Sequence, residues 1–126
     1  MQRLATAMAA VAVMAVPAMV AAHCEIPCGI YDDHARIHLI EEHITTIEKS
    51  MKQIQELSGE SDKNYNQLVR WINNKELHAN KLQEIVTQYF MTQRIKKPKK
   101  KDDEAHEAYV EKITLLHQLL VYAMKA

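Results

Sequence analysis

Turn-forming residues are scarce: there are two glycines and three prolines in 126 residues. A β-rich chain needs such residues at short intervals between its strands, so that class is excluded. Aromatic residues make up only 6% of the chain, with one tryptophan and one phenylalanine. Net charge is also missing, since 16 basic residues face 16 acidic ones. No global positive field is available for nucleic acid, and no nucleic-acid partner is expected. What is present is a helix-forming composition at a length that suits one domain. Cysteine is limited to Cys24 and Cys28, both near the start of the chain.

Residues 1–22 carry a single charge, Arg3, followed by an uncharged run from Leu4 to Val16 rich in Ala, Val and Met. Pro17 interrupts that run just ahead of Val20-Ala21-Ala22. Small side chains at the last and third-last positions suit a signal or maturation peptidase, and cleavage is expected after Ala22. The run is shorter than the roughly 20 residues that span a bilayer, which makes a membrane anchor the lesser reading. Residues 1–22 are therefore read as a cleaved signal peptide. The protein is expected to be exported, periplasmic or extracellular, with a cytoplasmic protein bearing a cleaved leader as the alternative. Loss of the leader removes one basic residue and leaves the remainder with one net negative charge.

Residues 32–126 read as an all-α, antiparallel helical bundle. A first helix is predicted from Asp32 or Asp33 to Leu57, with the aspartates capping it. Its apolar residues Ile37, Ile40, Ile44, Ile47, Met51 and Ile54 repeat in steps of 3 and 4, which is a heptad seam. Ser58-Gly59 should end it, with the glycine free to turn left-handed. A second helix is predicted from just after Ser61 to Arg94, with Tyr65, Leu68, Ile72, Ala79, Leu82, Val86 and Tyr89 on its seam. Lys75 occupies the seam position between Ile72 and Ala79. Asn73-Asn74 beside it is a weak helical stretch, so three long helices become four if the chain breaks there. A lysine-rich connector, Ile95 to Asp103, precedes a third helix from Glu104 to Met124 that turns Tyr109, Ile113, Leu116, Leu120 and Ala123 inward. Leu39, Trp71, Leu115, Leu119 and Tyr122 fall outside the narrow seams, and the wide apolar face predicts a homo-oligomer.

The chemistry is concentrated in residues 23–31, His-Cys-Glu-Ile-Pro-Cys-Gly-Ile-Tyr. Cleavage after Ala22 frees an α-amine on His23. Such an amine has an unperturbed pKa near ~8, so a metal ion can displace its proton at neutral pH. The amine, the Cys24 backbone nitrogen and the Cys24 sulfur can form adjoining chelate rings around one ion, and Cys28 can fold back to add a second thiolate. Two nitrogens and two sulfurs in a plane suit Ni(II) or Cu(II). The His23 imidazole is tethered within reach of an axial position. Pro27 favours a tight reversal between the sulfurs, Gly29 allows an unusual backbone angle, and Tyr31 brings a phenol to the mouth.

These nine residues closely resemble the N-terminal hook of the nickel-containing superoxide dismutases. That family matures to a free His-Cys start followed by two residues, Pro-Cys-Gly, one residue and Tyr. His23, Cys24, Pro27, Cys28, Gly29 and Tyr31 match it one for one, and the helices resemble that family's bundle more weakly. The resemblance implies an antioxidant oxidoreductase with a nickel ion as cofactor. It would convert superoxide to dioxygen and hydrogen peroxide by cycling between divalent and trivalent nickel. It further implies His23 as the axial ligand of the oxidised state, Tyr31 as a gate that positions small anions, and a homohexamer of four-helix subunits. The family also orients its axial histidine with a glutamate and an arginine. His38 and Asn74 stand at those places here, so these roles do not carry over. Lys75 is the candidate cation near the hook instead, unless it reaches solvent.

Other readings compete. Cys24 and Cys28 can form a disulfide in an exported non-catalytic helical bundle. The same donors also accommodate copper. His34 and His38 share a helix face but lack a placed third ligand. His43, His78, His106 and His117 show no clear ligand spacing. The cluster Lys96, Lys97, Lys99, Lys100 and Lys101 is either a solvated loop or a source of positive potential that draws anions.

Overall fold

A computed structural model describes residues 32–98 and 102–126 of the protein. The expected signal peptide and hook, residues 1–22 and 23–31, lie outside the described residues, and so do Lys99, Lys100 and Lys101. Among the described residues there are helices and no strands. Helix α1 spans Asp33–Ser58 and α2 spans Ser61–Glu84. Helix α2 runs on without interruption into a π-helical segment, Ile85–Arg94, and α3 spans Asp103–Lys125. The chain does not break at Asn73-Asn74, so the count among the described residues is three helices, with the second ending in a π segment.

Side-chain caps set two of the helix starts. The Asp32 carboxylate accepts from the His34 amide at 2.9 Å, and the Asp102 carboxylate accepts from the Ala105 amide at 3.1 Å. Each satisfies an amide that has no partner inside its helix. The end of α1 departs from expectation. Gly59 has φ −63° and ψ −25°, right-handed values open to any residue, so left-handed freedom is not what stops the helix.

The two-residue link between α1 and α2 makes them an antiparallel hairpin, and they pack along their length. Helix α3 lies on α2 and the π segment. It runs antiparallel to α2, because Lys75 Nζ near the middle of α2 donates to the carbonyl of Ala126 beyond the end of α3 at 2.7 Å. The core is Ile40, Ile47, Ala79, Leu82, Val86 and Ala123, with Leu116, Leu119 and Leu120 packed against it. Val86 has no exposed surface and Leu82 is 2% exposed, so the junction of α2 with the π segment is the most deeply buried part of the described core.

The seam of α1 differs in phase from the expected one. Its buried residues are Ile40, His43, Ile47 and Ser50. Ile37 and Met51 are 44% and 37% exposed. Ile40, Ile47 and Ile54 belong to either phase of a 3,4 repeat, but the helices pair along the flank carrying His43 and Ser50. Two polar layers result. Asn74 Nδ2 donates to Ser50 Oγ at 3.0 Å, and Ser50 Oγ donates to the Thr46 carbonyl at 2.7 Å. The His43 and His78 Nδ1 atoms face each other at 3.0 Å, with the rings edge to face. Polar layers inside a helix pair cost apolar burial and select one register.

The histidine layer makes stability depend on pH. Burial pushes the His43 pKa below 6.5, the nearby His78 and Lys81 add to the fall, and Glu42 opposes it. In the unfolded chain His43 takes up its proton nearer 6.5, so acid favours unfolding. Stability should be fully present above about pH 6.5 and should be lost as pH falls through the lower folded value. Thermal unfolding followed by circular dichroism from pH 7.5 to 5 should show Tm dropping, by about 4–8 °C for each kcal/mol in a domain of this size. His43→Leu, set between Ile40 and Ile47, should flatten that slope. An unchanged slope in the variant would mean that other groups set it.

Candidate functional site

The site residues named from sequence, His23, Cys24, Cys28 and Tyr31, lie outside the described residues. The described chain begins at Asp32, one residue after Tyr31. The foot of the hook is therefore described even though the hook is not, and it is a polar cluster. Asp33, the first residue of α1, receives two donors from the π segment. Arg94 Nη2 binds Asp33 Oδ2 at 2.7 Å, and the Tyr89 hydroxyl donates to Asp33 Oδ1. Two guanidinium groups lie over the Tyr89 ring, Arg36 at 5.4 Å and Arg94 at 5.9 Å from its centroid. Phe90 meets Tyr89 edge to face, with ring centroids 5.1 Å apart.

The electrostatics are mutually consistent. The hydrogen bond from Arg94, with a second from Tyr89, holds the Asp33 carboxyl below its usual range. The hydrogen bond to Asp33, together with burial, raises the Tyr89 phenol above its usual 10. At neutral pH the cluster is thus a carboxylate, a guanidinium and a neutral phenol. An open cleft of about 310 Å³ adjoins it, lined by Arg36, His43, Lys81, Glu84, Gln88 and Tyr89 among others. Two full cations against one carboxylate give the cleft a positive lean, the sign that draws a small anion.

The other sequence candidates are placed as follows. His38 is exposed and pairs with Glu41 at 3.1 Å. Asn74 belongs to the α1–α2 polar layer. Lys75 neither reaches open solvent nor stands free, because its ammonium, 18% exposed as a side chain, is engaged by Ala126 and by Glu76 at 3.0 Å. His43 and His78, 35 residues apart in the chain, come together although no spacing rule pairs them. Among the described residues no group of three or more His, Cys, Asp or Glu is placed to hold a metal ion. No described helix is long and apolar enough to cross a membrane.

By class, this is an all-helical antiparallel bundle whose only cysteines precede its first helix. The family model of the nickel-containing superoxide dismutases matches residues 18–126, nearly the whole chain and all nine residues of the hook sequence. The chain belongs to that family and is a nickel-type superoxide dismutase, with nickel as its cofactor and superoxide as its substrate. Comparison with curated proteins and with solved structures gave no match.

Proposed function

We propose that residues 23–31 hold the nickel ion and that dismutation takes place there, in a mature protein beginning at His23. The observation that carries this reading is the distribution of donors. A nickel enzyme needs a ligand set, the described bundle contains no group of three candidate ligands, and both thiols lie in His23–Tyr31. The donors there fit the metal: the His23 α-amine, the Cys24 amide nitrogen and the Cys24 and Cys28 thiolates are the mixed nitrogen and sulfur set that suits Ni(II). Nickel held by them supplies one-electron chemistry between divalent and trivalent states, which disproportionation requires.

The chain's own residues supply the rest. The His23 side chain would supply a further nitrogen donor to the nickel, one that favours its oxidised state. Tyr31 narrows the mouth and holds small anions by its hydroxyl. Positive potential from Arg36 and Lys81 in the cleft near the foot of the hook, and from the connector lysines, draws the superoxide anion inward. A signal or maturation peptidase frees His23 by cutting after Ala22, and the protein is exported. Ile37, Met51, Leu115 and Tyr122 are exposed apolar side chains, and they support assembly of copies of the chain into a homo-oligomer, hexameric as the sequence resemblance implies.

The test is Cys24→Ser and Cys28→Ser, each assayed for bound nickel by elemental analysis. A hydroxyl is a poor donor to this metal, so each change should abolish nickel binding and with it superoxide turnover. Full nickel content in either variant sinks the assignment. The rival reading, a Cys24–Cys28 disulfide in a bundle without metal at the hook, predicts no free or metal-bound thiol in the active protein.

A further inference from the structure

We propose that Arg94, brought round by the π-helical segment onto Asp33, is a positioning residue that fixes the point from which the nickel hook departs. The apolar core does not hold the beginning of α1. Its first buried residue is Ile40, while Ile37 is 44% exposed. The first two turns therefore lie outside the apolar core. Among the described residues, polar contacts tie them to the second helix: Asp33 takes donors from Arg94 and Tyr89, and Arg36 lies over the Tyr89 ring. Tyr89 is 6% exposed and anchored in the bundle, so the cluster ties a loosely packed helix start to a firmly packed one.

The winding of the second helix makes this tie possible. In an α-helix each residue turns about 100°, so two residues five apart point about 140° away from each other. Residues 89 and 94 would then not share a target. In a π-helix the turn closes between residues five apart, and they come to one face. The Ile95 amide closes such a turn on the Phe90 carbonyl at 2.9 Å. The side chains of Thr92 and Gln93 also donate to carbonyls five residues back, Thr87 at 2.6 Å and Gln88 at 3.0 Å. With that winding, Tyr89 and Arg94 both reach the Asp33 carboxylate, one to each oxygen.

Asp33 is two residues past Tyr31 and five past Cys28, so covalent geometry keeps Cys28 within about 18 Å of it. Whatever fixes Asp33 sets the origin from which residues 23–31 must reach the metal. A ligand set is sensitive to such support: losing a group that only orients ligands typically costs roughly 10–100-fold in activity or metal affinity. The Arg94–Asp33 pair is partly exposed, 43% and 41% as side chains, and pairs of that kind add little to global stability. Its role is therefore local order at the foot of the hook.

This inference rests on the reading that residues 23–31 hold the nickel, and the test separates the two. The full mature chain is prepared as wild type, Arg94→Ala and Arg94→Lys. Amide hydrogen exchange on the metal-free proteins is expected to be about tenfold faster at residues 37–40 in Arg94→Ala, with residues 79–86 unchanged and Arg94→Lys largely restored. Nickel-loaded Arg94→Ala should keep wild-type nickel content. It should show a heterogeneous axial-nitrogen pattern in electron paramagnetic resonance and turnover reduced by about tenfold, with Arg94→Lys again recovering most of both. Unchanged exchange at 37–40, or equal acceleration at 79–86, overturns the positioning role. So does a native spectrum with full turnover in loaded Arg94→Ala. If nickel stays bound in the Cys24→Ser and Cys28→Ser proteins, the hook reading has failed instead, and the exchange measurement still reports on the tie.

Discussion

A mature protein that keeps one additional alanine ahead of His23 is expected to lose its nickel and its dismutase activity together. The reason is a change in the chemistry of one nitrogen. With His23 first, its nitrogen is an amine, from which a metal ion can displace a proton to water at neutral pH and which would close a chelate ring with the Cys24 amide nitrogen. With alanine ahead, the same atom becomes an amide inside the chain, and the free amine moves one residue away from that ring. The imidazole and both thiols are untouched, so loss of function cannot be assigned to a missing side chain. The measurement is nickel content and superoxide turnover on protein whose first residue is verified by N-terminal sequencing. Full activity with the alanine retained would show that the amine is not a ligand and that cleavage after Ala22 has another purpose. The expectation is specific to this position, because Val20-Ala21-Ala22 puts the expected cut directly before the hook.

His23→Ala should behave differently, and the contrast separates the two donors of that residue. The variant keeps the α-amine, the Cys24 amide nitrogen and both sulfurs, so nickel should still bind in a planar divalent form. What is removed is the imidazole proposed to favour the oxidised state. Turnover should fall by orders of magnitude, beyond the roughly 10–100-fold typical of groups that only orient a ligand. Electron paramagnetic resonance should lose the axial-nitrogen coupling of the oxidised state. A variant with that coupling intact and full turnover would remove His23 from the axial position. Tyr31→Phe, which keeps the ring and loses one hydroxyl, serves as the control. It should alter anion inhibition and saturation while leaving nickel content unchanged.

The existence of three helices was legible in the sequence, and their ends fell within a residue or two of the observed ones. Heptad spacing of apolar residues and the aspartates at 32 and 33 are local signals, and local signals suffice for an element's type and extent. Residues 23–31 lie outside the described residues, and their role as a nickel hook rests on their sequence, where adjacency along the chain sets which donors can share an ion. The seam phase of α1 was not. Ile40, Ile47 and Ile54 complete a 3,4 repeat with Ile37, Ile44 and Met51, or with His43, Ser50 and Leu57, and the apolar set looked the better. The chain pairs on the other flank, where His43 meets His78 and Ser50 meets Asn74. Those partners are 35 and 24 residues apart, and no periodicity within one helix reveals them.

The sequence by itself determined the all-helical class and the family, because each depends on composition or on neighbours along the chain. Only the tertiary structure decided which flank of α1 faces α2, that the second helix stays unbroken at Asn73-Asn74, and that it ends in a π segment. It also decided that Asp33 meets Tyr89 and Arg94, 56 and 61 residues away. The physical reason is common to all of these. Ile40, Ile47 and Ile54 are shared by two 3,4 repeats, so periodicity within α1 does not choose the flank, and a π segment is a rare winding that carries no repeat of its own. The choice is made by contacts between helices, which exist only once the hairpin has closed.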